Sequence, residues 1–97
     1  RVAPITNVSL EMKLKQESCV QAEDLPDGGA VLYNGCNRQV LTLNATAALV
    51  WEYCDSEHDV RAIVAEFREV FPAAAEAERD VRQVVQMLAD AGMVSVA

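Results

Sequence analysis

The chain has 97 residues, 52% of them hydrophobic, and its 15 acids against 8 bases give a formal net charge of −7. That length and apolar share suit one domain with a real core, and no run approaches the ~18 apolar residues of a membrane helix. The acidity argues against a duplex DNA binder, which needs Lys and Arg to replace the counterions around phosphates. It favours partners with basic patches, or peptides held by backbone and apolar contacts.

The first half reads as strands. Val8–Lys15 alternates apolar and polar with period two, which predicts a half-buried strand. A second extended stretch runs from Cys19 to Leu25, and Pro26-Asp27-Gly28-Gly29 is a turn signal. Ala30–Tyr33 and Arg38–Leu43 then flank Asn34-Gly35, a strong short hairpin signal. The loop is either Asn34-Gly35 alone or the four residues Asn34 to Asn37. Both choices put Leu32, Leu41 and Leu43 on one face, taken as the core, and Val31, Val40 and Thr42 on the other.

The second half reads as helices. Asn44 suits an N-cap before Ala45–Cys54, Asp55–His58 breaks that helix, and Asp59 can cap the next. Val60, Ile63, Val64 and Phe67 form one apolar stripe, and Pro72 ends the second helix. A third helix begins near Ala74 or Ala75, with Glu76 and Glu78 at the positive end of its dipole. Val81, Val84, Val85 and Leu88 repeat the stripe, and Gly92 is the C′ residue. Met93–Val96 is a short strand or a packed tail.

Sites for chemistry are scarce. Cys19, Cys36 and Cys54 are odd in number and contain no CxxC, so the expectation is buried thiols in a reducing compartment, with neither a disulfide framework nor a zinc site. No signal-peptide pattern opens the chain, which begins at Arg1, and the cytoplasm is the expected location. His58 is the single histidine and falls in a polar inter-helix turn, where a solvated side chain is a better reading than a base beside Cys54. Asp55-Ser56 lacks the Leu that follows a phosphopantetheine serine. The acidic clusters lack calcium-loop spacing, and no nucleotide-binding glycine motif is present. No catalytic, cofactor or metal residue is assigned, and Trp51 and Tyr53 are read as packing.

Gly29-Ala30-Val31-Leu32-Tyr33, the block Leu43–Asp55 and the ending Leu88-Ala89-Asp90-Ala91-Gly92-Met93-Val94 together carry a resemblance over about residues 19–96. They resemble the PqqD-like family, whose pattern includes L-N-x-T/S-A-A-x-I/V-W-x-x-C-D-G. Ser56 departs from it, standing where that family has glycine. The resemblance implies an α+β, winged helix-turn-helix-like fold: a three-stranded antiparallel sheet followed by three helices. Residues 1–16 form an N-terminal extension before a 17–97 domain. Its Val8–Lys15 strand has three open roles: extending the sheet, mediating a homodimer, or covering a groove. The implied function is that of a RiPP recognition element, a non-catalytic chaperone. It binds the leader of a ribosomally made precursor and presents it to a modifying enzyme such as a radical S-adenosylmethionine maturase.

The residues suit that role. A last hairpin strand unpaired on one side can accept an extended peptide as a further strand. Gln39, Val40, Leu41, Thr42 and Leu43 are the candidate edge. The resemblance places the groove between this strand and the third helix, with Val81, Val85 and Leu88 as the wall and Arg79 and Arg82 as holders of a leader carboxylate. Core packing for the apolar set and solvated surface for the arginines are the bland alternatives. Two rival classes remain. One is a subunit that docks a folded partner. The other is a winged-helix DNA binder, disfavoured because residues 73–91 hold four acids against two bases, a balance of −2.

Overall fold

The computed structural model describes residues 7–97. Strands β2 (Val20–Asp24), β3 (Ala30–Asn34) and β4 (Gln39–Leu43) form an antiparallel sheet in the order β2-β3-β4. Leu32 pairs with Leu41 and Tyr33 with Val40, so the hairpin loop is Gly35–Arg38. That register differs by an even step from the sequence expectation, and the faces are as expected. Leu32 and Leu43 are buried, whereas Val40 is 60% exposed. Asn34 shapes the loop: its Oδ1 accepts from the Cys36 and Asn37 amides at 2.8 and 3.2 Å, and its Nδ2 donates to the Gly92 carbonyl at 2.7 Å. Gly29 is buried at the start of this hairpin, where a Cβ would collide with the Leu43 carbonyl.

Cys19 and Cys36 form a disulfide with their Cα atoms 5.8 Å apart, which corrects the expectation of free thiols. The β2–β3 register brings Cys19 beside the hairpin loop, where its carbonyl accepts from the Gly35 amide at 3.0 Å. Cysteine spacing alone carries no information about that register. Cys54 is free and buried.

Helix α1 (Ala45–Glu52) starts at the expected cap, with Asn44 Oδ1 accepting from the Ala47 amide at 2.9 Å. In α2 (Val60–Val70), Asp59 Oδ1 accepts from the Ala62 amide at 2.8 Å, and Val60, Ile63, Val64 and Phe67 are buried. Helix α3 (Ala77–Asp90) begins later than expected, because a turn in which the Ala74 amide donates to the Phe71 carbonyl follows Pro72. Glu76 is therefore the N-cap position, and Glu78 and Asp80 occupy the first turn. Gly92 ends the element with φ +77°, and a Cβ there would collide with the Asn37 side chain.

The structure adds a second antiparallel sheet to the one the sequence predicts. It comprises β1 (Lys13–Gln16), β5 (Asp55–Asp59) and β6 (Val94–Val96) in the order β5-β1-β6. Lys13 faces Asp59, and Leu14 faces Val96. The expected Val8–Lys15 strand is thus shorter, and it does not extend the hairpin sheet. Before it, the Leu10 and Met12 carbonyls accept from the Arg61 and Val60 amides, both at 2.9 Å. They satisfy two of the donors that the first turn of α2 leaves open. Ser56 in β5 has φ +71°, the left-handed region that favours glycine.

One core joins both sheets to the helices. Leu14, Leu32, Leu43, Val50, Ile63 and Leu88 are each at most 1% exposed and belong to a single cluster. Burying such a side chain contributes about 1.5–3 kcal/mol. The tail resolves as β6, whose Ser95 hydroxyl bonds to the Glu17 carboxylate.

Candidate functional site

β4 lies at the end of its sheet: β3 pairs with one side, and no described strand pairs with the other. Helix α3 runs alongside it in the opposite direction. At one end, Asn34 and Asn37 donate to the carbonyls of Gly92 and Ala91, at 2.7 and 3.2 Å. At the other end, Thr42 and Leu43 face Asp80, Gln83, Val84 and Met87 across an open groove of about 450 Å³. Phe67, Phe71 and Ala74 from the end of α2 and the turn after it line the same groove, and Asn44, Thr46 and Ala47 of the α1 N-terminus complete it.

The reason for this shape lies in two amphipathic helices. The exposed flank of α3, displaced from its buried stripe, carries Val84 and Met87. Met87 is 38% exposed, an apolar side chain left partly in water. Phe67 is buried and stacks obliquely on Phe71 with ring centroids 5.2 Å apart, giving the groove an aromatic floor.

The expected edge residues fall where the sequence put them. Gln39, Val40 and Thr42 are exposed, Leu41 is half-buried, and Leu43 is buried with part of its surface toward the groove. The expected wall does not. Val81, Val85 and Leu88 are 0% exposed, so they support α3 from behind and present no surface to a ligand. Val84 and Met87, one step round the helix, stand in their place. The stripe that packs the core and the strip that faces the groove are adjacent, and helical period alone does not separate them.

Arg79 and Arg82 lie outside the main groove. Arg79 pairs with Glu76 at 2.9 Å and Arg82 with Glu78 at 3.3 Å, and both line a smaller depression with Asn7 and Val8. Each guanidinium is already partly neutralised by its own helix.

Cys54 and His58 are engaged separately, each in its own internal contact. Burial pushes the Cys54 thiol up to about 12, and its Sγ donates to the Val50 carbonyl at 3.3 Å. His58 Nδ1 lies 2.8 Å from Asp55 Oδ2. The His58 backbone amide chiefly, with that of Glu57 and the His58 ring, holds the Asp55 carboxyl down at about 2, against an opposing cost of burial. This cluster organises β5. Among the described residues no group of three or more His, Cys, Asp or Glu is placed to hold a metal ion, and no helix is long and apolar enough to cross a membrane.

No curated protein sequence matches the chain. Two solved structures share its fold. One, described as TbiB1 in complex with the TbiA(beta) leader peptide, has a TM-score of 0.68 at 19% identity and covers 84% of this chain and 94% of its own. The other, a lasso peptide synthetase B1 complexed with the leader peptide, has a TM-score of 0.66 at 23% identity and covers 86% and 98%. The sequence profile of Coenzyme PQQ synthesis protein D matches residues 29–94, which run from the collision-tight Gly29 to the first residue of β6. With more than half its length matched, the chain belongs to the PqqD family.

Proposed function

We propose that the chain is a non-catalytic adaptor that captures the leader of a ribosomally made precursor peptide and presents it to a modifying enzyme. The observation that carries this reading is the unpaired edge of β4 beside an open apolar groove. An extended peptide adds to that edge as a further strand, and every second side chain turns toward α3. Backbone pairing nets about 1 kcal/mol per bond and is blind to sequence. Choice must therefore come from the groove, where burying one large apolar side chain is worth about 1.5–3 kcal/mol. Membership of the PqqD family supports the reading, as do two structural neighbours described as complexes with leader peptides. The family resemblance gives a radical S-adenosylmethionine enzyme as the partner class.

The test is titration of isotope-labelled protein with the precursor peptides encoded beside its gene. Amide shifts should concentrate in residues 39–43 and 80–87. Met87→Asp should weaken binding about tenfold by placing a charge against the apolar ligand. An unchanged affinity in that variant would remove the groove from the account.

One observation favours a second contact. Tyr33 and Val40 are cross-strand partners on the outer face of the sheet, 42% and 60% exposed. A folded partner covering that face would make the chain a docking subunit as well. Tyr33→Ser, a change confined to β3, should then lose the enzyme and keep the peptide.

A further inference from the structure

Among the described residues that line the groove between β4 and α3, Asp80 is the one ionisable side chain. The other charged groups of that helix are engaged: Arg79 with Glu76, Arg82 with Glu78, and Asp90 with the Gln86 amide at 2.9 Å. No described residue forms an ion pair or side-chain hydrogen bond with the Asp80 carboxylate. It sits half-buried at the Thr42–Leu43 end of the groove, one helical turn before Val84.

We infer that the groove reads a two-part motif in the bound peptide: a bulky apolar residue against Val84, Met87 and Phe71, and a lysine or arginine two positions away against Asp80. This deepens the peptide-groove reading and rests on it. Spacing follows from geometry. Residues i and i+2 of a strand point the same way about 6.6–6.8 Å apart, and Asp80 and Val84 are separated by about 6 Å along the helix axis. Because α3 runs antiparallel to β4, a peptide strand lying along that edge meets the two positions in succession. The residue between them points away from the helix. Charge supports the same choice, since a protein of net charge −7 attracts a cationic segment and repels an acidic one.

The experiment is selection of displayed random peptides against the whole protein and against its Asp80→Asn and Asp80→Lys variants, each shown folded by its amide spectrum. The wild-type consensus should contain a basic residue two positions from an apolar anchor. Replacing that basic residue with a neutral one should weaken binding about fivefold, the scale of a partly exposed ion pair. Asp80→Asn should keep the anchor and lose the basic preference, and Asp80→Lys should turn the preference acidic. A wild-type consensus with an anchor but no basic position, or one unchanged in Asp80→Lys, would overturn the motif and leave the groove standing. Failure to select any peptide with wild type would instead take down the groove reading, and the motif with it.

Discussion

The two sheets share one core and do opposite jobs. β2-β3-β4 is built from consecutive strands joined by short turns, and it ends on an open edge beside the groove. β5-β1-β6 gathers segments from the beginning, middle and end of the chain. Its central strand β1 is paired on both sides. The local sheet can leave an edge free because the non-local one closes the domain around it. Stability and recognition are therefore separated: losses in the second sheet should be felt throughout the fold, whereas changes on β4 should be felt by the ligand.

The largest expected effect breaks that closure. Leu14 is 0% exposed at the centre of the second sheet, and Leu14→Ala should cost about 3 kcal/mol by denaturant unfolding. Val40→Ala, on the exposed face of the first sheet, should stay within about 0.5 kcal/mol. Equal costs would dissolve the division of labour. Next comes the disulfide, which closes a loop with a sequence separation of 17. Replacing Cys19 and Cys36 with serine should cost up to about 3 kcal/mol through the unfolded chain. In native protein, thiol labelling should find no reactive cysteine, and in unfolded protein it should find Cys54 alone.

Two smaller effects sharpen the picture of β5. Ser56 holds a positive φ where the family has glycine, and left-handed geometry costs a residue with a Cβ about 1–2 kcal/mol. Ser56→Gly should raise the unfolding free energy by about 1 kcal/mol, after the greater freedom of glycine in the unfolded chain is offset. The weakest effect is acid sensitivity. The folded Asp55 carboxyl titrates at about 2, below its ordinary 3.8, so its contribution is complete above about pH 4 and is lost as pH falls toward 2. Carbon-detected NMR titration should show the low midpoint, and Asp55→Asn should flatten that limb of the stability profile.

What the sequence disclosed follows the same division. Period-two alternation in Ala30–Leu43, the caps Asn44 and Asp59, and the stripe of α2 are all local signals, and the structure contains each of them. β5 was hidden because Asp55-Ser56-Glu57-His58-Asp59 is polar throughout and becomes a strand only when Lys13 and Lys15 lie beside it. The disulfide was hidden because its geometry depends on the register between β2 and β3. At the site, the edge strand was legible, but the helix wall was displaced by one step. Val81, Val85 and Leu88 carry the strongest apolar periodicity because they pack the core. Val84 and Met87, which reach the groove, are distinguished only once the helix has been docked.

The central claim is that a peptide joins the sheet at β4. Isotope-filtered NMR on labelled protein bound to an unlabelled precursor leader tests it directly, by reading backbone contacts across the interface. The account predicts cross-strand Hα–Hα and amide contacts between the peptide and residues 39–43, with new protection of β4 amides from hydrogen exchange. Contacts confined to the Tyr33–Val40 face or to the outer edge of β2, with β4 amides exchanging as in the free protein, would contradict it.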